Sequence, residues 1–269
     1  MHSSYWMALL ILGSTTTLAH GHDCKFRADR AAGVDAKGVE KVVVRAGAGE
    51  LKVVGRTNAV RIEARGVACA DSQKLLDASQ ISARREGNIV YIETQLPQDD
   101  DATIDLGVAL PANLPVEATD SSGDAAFEDL NALKLEDSSG DLTIRRIASA
   151  LDVNDSSGDL TITDAGSVRV NDSSGEIEIT EVRGDVGIPS DSSGDIHIAH
   201  VGGSVNIESD SSGGIRIEEV KGSVRIGSDS SGDIYAGRVG GDFTVEADSS
   251  GSIEHESIGG QVKVPSRPE

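Results

Sequence analysis

From Asp120 onward, apolar residues return at the same five positions of every segment of 17 to 19 residues, with polar residues between them. In the segment beginning at Asp210 they are Ile215, Ile217, Val220, Val224 and Ile226; the segment before it has Ile196, Ile198, Val201, Val205 and Ile207. The segment from Asp137 has Leu142, Ile144, Ile147, Leu151 and Val153. Residues two apart on a strand share a side, and most of these are β-branched, so each segment reads as two short strands, Ile-x-Ile and Val-x-Ile. Turns such as Gly202-Gly203 or Gly222 join the two, and an Asp-Ser-Ser-Gly closes the segment. Eight copies of that tetrad begin at Asp120, Asp137, Asp155, Asp172, Asp191, Asp210, Asp229 and Asp248.

One short unit repeated this faithfully is a solenoid signature. A coil of about 19 residues at about 3.3 Å each has a circumference near 60 Å, which encloses one layer of aliphatic side chains; eight coils at about 4.8 Å make a rod of about 40 Å. The expected fold is all-β: a parallel β-solenoid (β-helix), taken as right-handed, of about eight 17–19-residue rungs with an N-terminal β capping region. No segment after Asp120 sustains the three-and-four spacing of a helix. The last rung carries His255 in a column held elsewhere by Phe127, Ile144, Ile162, Ile179, Ile198, Ile217 and Ala236, as a polar terminal coil would; His255 as a ligand is the sharper alternative.

Ahead of the repeats, Val42 to Val44, Leu51 to Val54, Val60 to Glu63, Ile89 to Glu93 and Ile104 to Leu110 read as strands, and only Ser72 to Ala83 hints at helix. Residues 22–119 are expected to cover the N-terminal end of the rod, because an open coil end is a sheet edge that invites aggregation. The solenoid is assigned to 120–264 and a frayed tail to 265–269. The apolar run Met7 to Gly13, followed by small residues at Ala19 and Gly21, predicts a signal peptide over 1–21, cleaved after one of those two, although Met1 to Trp6 lacks Lys and Arg. That run is too short to span a bilayer, so no membrane span is expected. Cys24 and Cys69, an even pair in an exported chain, suggest one disulfide tying the N-terminal segment to the body.

The formal net charge is −21, and the stretch from Asp120 to Val264 holds 29 acidic against 10 basic residues. Such a polyanion repels nucleic acid and anionic headgroups, which excludes nucleic acid as a partner and favours cations and basic surfaces. Stacking sets the eight Asp residues of the tetrads in a row, where neighbours repel by about 0.9 kcal/mol in water. Two readings offset this. In the first, Asp and Ser cap local turns and Gly supplies a positive φ. In the second, calcium bridges Asp120, Asp137, Asp155, Asp172, Asp191, Asp210, Asp229 and Asp248, aided by acidic residues after the Gly at Asp124, Asp141, Asp159, Glu176, Asp195 and Asp233. Gly214 and Ser252 interrupt that second column, and the nonapeptide of calcium-binding β-rolls is missing. Strict alternation from Ile207 would turn Asp210 outward and Ser211 inward, although the shorter rungs have the other parity.

Catalysis has thin support. His197 and His200 are a lone pair, no Ser-His-Asp or Cys-His set recurs, and the aromatic residues Tyr91, Phe127, Tyr235 and Phe243 are too scattered to stack sugars.

The segment Val108-Ala109-Leu110-Pro111 with Leu114-Pro115-Val116, followed by the cadence Ser193-Gly194-Asp195-Ile196 and Ser231-Gly232-Asp233-Ile234, resembles the bacterial DUF4097 family, labelled "putative adhesin", over about Val42 to Val264. The resemblance implies a β-strand-repeat protein of the cell envelope with no established catalytic residues. The expected function is a non-catalytic, exported β-solenoid, periplasmic or on the cell surface, acting as a structural or adhesive module toward a protein or glycan of the envelope or extracellular surface, with no cofactor required. The alternative is a calcium-dependent binding module, and the third a polysaccharide-active β-helix enzyme.

Overall fold

A computed structural model describes residues 24–97 and 102–266, so the expected signal peptide lies outside the described residues. The chain folds as stacked parallel coils, each with two walls. The first wall stacks Ile177–Val182, Ile196–Val201, Ile215–Val220, Ile234–Val239 and Ile253–Ile258 in register, so that Ile196 pairs with Ile177 and Ile215. The second stacks Val186–Ser190, Val205–Asp210, Val224–Asp229, Phe243–Asp248 and Val262–Lys263. Earlier rungs run through both walls in single long strands, Leu142–Asn154 and Leu160–Asn171. The five apolar columns all point inward; Ile198, Ile207, Ile217 and Ile226 have no exposed surface. A fully buried aliphatic side chain gains about 1.5–3 kcal/mol over an exposed one, and the columns repeat that gain at every rung.

Three apolar residues spaced i, i+2 and i+5 cannot all face inward on a flat strand. The break falls on a residue in the left-handed region in every rung: Asp129, Arg146, Asp164, Glu181, His200, Glu219, Arg238 and Ser257 have φ between 55° and 60°. In the rung of His200 this bend leaves Ala199 and His200 outside and turns Val201 back into the core.

The stack extends beneath Asp120. Lys41–Arg45 and Leu51–Arg56 form a coil of their own, parallel to Val116–Thr119 and Ala125–Glu128 on one side and to Ile89–Gln95 and Ala102–Pro111 on the other. The spatial order of these coils is therefore not their chain order. The lowest coil is closed by antiparallel strands: Arg61–Ala70 pairs with Ala102–Pro111, Phe26–Asp35 pairs with Arg61–Ala70, and Gln80–Glu86 pairs with Ile89–Gln95. The expected helix is one short turn, Gln73–Ala78; Ser72 Oγ accepts from Leu75 N at its start, and Arg30 donates to the carbonyls of Leu76 and Ser79 at its end. Residues up to Glu86 that follow it are strand instead. Cys24 and Cys69 are disulfide-bonded, with Cα atoms 5.5 Å apart, and so pin the outermost cap strand to its neighbour.

Candidate functional site

The Asp column lies inside the rod. Asp120, Asp137, Asp155, Asp172, Asp191, Asp210 and Asp229 are between 0% and 5% exposed, and the eighth, Asp248 in the penultimate stretch of chain, is half-buried. The strict alternation that would turn Asp210 outward does not hold, because Glu208 and Ser209 both leave the interior and the chain rounds a corner before Asp210. Ser211 is exposed in its place. The column starts on an apolar floor. Ala46, whose amide donates to Thr119 O, takes the position below Asp120, and Ala46-Gly47-Ala48-Gly49 runs as the tetrad's counterpart in the coil directly below, with Ala48 bridged to Ser122.

The rest of the tetrad builds the corner. The hydroxyl of the second Ser donates to the carbonyl of the first Ser one rung below, as from Ser174 to Ser156 O (3.2 Å) and from Ser231 to Ser211 O (3.2 Å). Gly closes it with φ between 110° and 142°. Each Gly also lies so close to the Gly below that a Cβ on Gly213 would sit 1.8 Å from Gly194 O.

Asp oxygens meet little inside. Ser121 N donates to Asp120 Oδ1 (3.0 Å), Ser173 N to Asp172 Oδ1 (2.7 Å) and Ser231 N to Asp229 Oδ1 (3.1 Å). The other oxygen of each of these carboxyls, and both oxygens of Asp137, Asp191 and Asp210, are buried with no hydrogen-bond partner. Burial pushes Asp120, Asp137 and Asp210 up to about 7, with the adjacent Asp charge adding to it, and raises Asp172 to about 6. Burial raises Asp155, Asp191 and Asp229 as well, and the amides of the following Ser residues offset part of the rise.

The second acidic column lies outside and has another task. Asp124, Asp141, Asp159 and Asp195 are exposed, and their Oδ1 atoms accept the backbone amides of Asp141, Asp159, Glu176 and Gly214 one rung up, at 2.7–3.1 Å. These oxygens face away from the interior column and do not join it. Among the described residues no three His, Cys, Asp or Glu side chains converge as a metal site.

The profile of the Toastrack DUF4097 family matches residues 84–264. The chain belongs to that family. No curated protein matches it. Solved structures similar to this Toastrack chain include a "putative adhesin" from Bacteroides fragilis NCTC 9343, 14% identical, covering 90% of this chain and 98% of that one with a TM-score of 0.45. A "putative adhesin" from Parabacteroides merdae ATCC 43184 is 13% identical over 90% and 97%, with a TM-score of 0.43. A "putative cell adhesion protein" from Clostridium sporogenes ATCC 15579 is 12% identical over 89% and 99%, with a TM-score of 0.31.

The histidines of the Toastrack rod do not converge. His197 lies on the first wall in register with Glu178 and Arg216, and His200 Nδ1 lies 2.6 Å from Glu219 Oε2 at the left-handed corner. His255 is exposed in the last coil, in register with Ala236, its ring 5.9 Å from that of Phe243. Tyr91 and Tyr235 lie under guanidinium groups, Arg84 and Arg216 each 4.3 Å from the ring centre. The left-handed corner is a row of charges of both signs that sequence inspection missed: Arg146 grips Asp129 through two bonds (2.6 and 2.9 Å), Arg183 pairs with Asp164, and Arg238 reaches Glu219 (3.0 Å). Stacking these positions rung on rung was the available signal. A cleft between cap and first coil is lined by Asp35, Lys37, Val39, Val60, Pro111 and Leu114, a set with no nucleophile–base pair.

Proposed function

We propose that this Toastrack chain is a non-catalytic, exported structural or adhesive module of the cell envelope, whose outer walls offer a repeating surface to a protein or glycan. The observation that carries this reading is the uniform stacking of the coils. The tetrad rungs repeat one backbone path and fill their inward columns mostly with aliphatic side chains, so the variable residues are those that point outward from the walls: Glu178, His197, Arg216 and Tyr235 on the first, and Asn206, Arg225 and Thr244 on the second. A surface that extends along an axis suits multivalent attachment, in which several weak contacts add through effective concentration. The Cys24–Cys69 disulfide supports an oxidising compartment. No helix among the described residues is long and apolar enough to cross a membrane.

Beads coated with the purified chain, and beads coated with an unrelated acidic protein as control, test this against whole cells, isolated envelopes and a glycan panel. Specific capture that a soluble excess of the chain competes away is the expected result. Equal binding by both beads would refute an adhesive role, and turnover of any glycan on the panel would refute the non-catalytic one.

A further inference from the structure

We propose that the Asp column is a proton-binding site: a file of carboxyl groups inside the coil whose protons bridge one rung to the next, so that folding takes up protons and withdrawing them loosens the stack. The geometry leaves little else for these groups to do. Seven Asp side chains are at least nine-tenths buried, and every one of them has at least one buried oxygen without a partner. A buried carboxylate in that state is costly unless it is paired or neutralised. A carboxylic acid is not, because its O–H supplies the donor that the next rung's orphaned oxygen lacks.

No opposite charge competes for the role. Each carboxyl faces an Asp of the adjoining rung or rungs, with the amides of the Ser residues that follow it beside it, and no Lys, Arg or His acts on any of the seven. The elements around Asp210 turn Ile207 and Ile226 inward, while their charged groups Asp195, Glu208, Arg225 and Asp233 are exposed outside. Metal would need several oxygens converging on one point. The column brings one carboxyl per rung, and the outer acidic residues are engaged with backbone amides on the other side of the chain.

The direction of the pH effect follows. These carboxyls have folded-state values raised from 3.8 to as high as about 7, so between those limits the folded rod holds more protons than the unfolded chain. Their contribution is complete below the unfolded value and is lost as pH rises through the folded one.

The first measurement is proton release on denaturant unfolding at pH about 5.5, midway in that window, read from a pH-stat. Release of several protons per chain is expected; none, or uptake, would overturn the proposal. The second is the thermal midpoint of the wild type, Asp210→Asn and the exposed control Glu208→Gln, from pH about 4.5 to about 8, at high salt to screen surface repulsion. Asn keeps the shape and a donor but cannot ionise, so Asp210→Asn is expected to flatten the fall with pH and to melt higher than wild type at the alkaline end, with Glu208→Gln tracking wild type. An Asp210→Asn midpoint below wild type by the same amount at both ends would overturn the proposal. So would a calcium-specific rise at the alkaline end that Asp210→Asn abolishes, which would put a cation in the column. If Asp210→Asn does not fold, the proton count on the wild type decides alone.

Discussion

Adding one methyl group at Gly213 tests how strictly the corner is built. Gly213 has φ of 130°, and an ideal Cβ there would lie 1.8 Å from the carbonyl oxygen and 2.6 Å from the carbonyl carbon of Gly194. Holding a residue with a side chain in this region costs about 1–3 kcal/mol. The overlap is with backbone, so no side chain can swing aside, and Gly213 N is itself bonded to Ser231 O at 3.1 Å. Opening the corner enough to admit the methyl group sacrifices at least one such bond, about 1 kcal/mol more. Gly213→Ala is therefore expected to destabilise by about 3 kcal/mol, a drop of roughly 6–12 °C in midpoint at 2–4 °C per kcal/mol for a domain of this size. Gly187 is the control: it lies in the second wall outside the positive-φ set, and a Cβ there would approach nothing nearer than 4.0 Å. Gly187→Ala is expected to be neutral or to stabilise by up to about 1 kcal/mol through the unfolded chain. Far-UV circular dichroism melts of the two variants read the difference, and hydrogen exchange around Ser211 and Ser231 locates it. Equal midpoints for Gly213→Ala and Gly187→Ala would refute the claim that backbone contact between successive Gly residues sets the coil path.

Three further outcomes are expected. Ile198→Ala, in a column between Ile179 and Ile217 with no exposed surface, should cost about 2–5 kcal/mol by urea denaturation, since neighbours in a stacked ladder cannot collapse into the gap. Replacing Cys24 and Cys69 by Ala opens a loop spanning 45 residues, which the chain-entropy account values at about 4 kcal/mol, and hydrogen exchange should show protection lost in Phe26–Asp35 while the tetrad coils keep theirs. Arg146 holds the Asp129 carboxyl below its ordinary value through its hydrogen bonds, so Arg146→Gln should raise the Asp129 midpoint in an NMR titration, and the stability difference between the two proteins should fade as pH falls through that group's folded value.

The five inward columns were legible in the sequence because β-branched residues at fixed spacing leave no other periodicity, and the N-terminal strands from Val42 to Leu110 were legible for the same reason. The coil of Lys41–Arg45 and Leu51–Arg56 was not recognisable as a rung. Its corner reads Ala46-Gly47-Ala48-Gly49 and keeps only the Gly of the tetrad, whose φ of 124° is the one feature the backbone path demands. Its place between the coil of Ile89–Gln95 and that of Val116–Thr119 was also hidden, since a parallel strand pairs across any connection long enough to return. The cap strands Phe26–Asp35 and Gln80–Glu86 were missed because they carry Arg, Asp and Glu on their exposed face and alternate weakly. Ile-x-Ile-x-x-Val betrayed a break in alternation, but the residues at the break are Asp, Arg, Glu, His and Ser, not the Gly that usually signals a left-handed turn.

The interior Asp column and the left-handed corner both stack ionisable groups along this rod, and they meet the problem of stacked charge in opposite ways. At the left-handed corner the side chains lie in water and carry both signs, with Asp129 beside Arg146 and Glu219 beside Arg238 along the stack. Exposed pairs of that kind contribute little each, but they remove the repulsion that a row of one sign would carry. The interior corner repeats the same acid at every rung. An Arg or Lys there would have to bury a long cationic side chain in a space already filled by the neighbouring Asp residues and the aliphatic columns, and the close Gly-to-Gly contact forbids the coil from widening to admit it. Pairing with an opposite charge is closed to this column, and neutralisation by a small ligand is what remains. A proton occupies no volume, needs no change in coil path, and turns each carboxyl into the donor its neighbour lacks. The formal charge of −21 counts every one of these carboxyls as ionised, so on the proposed protonation the electrophoretic mobility of the native chain should fall below what that formal charge requires as pH drops from about 7 toward 5.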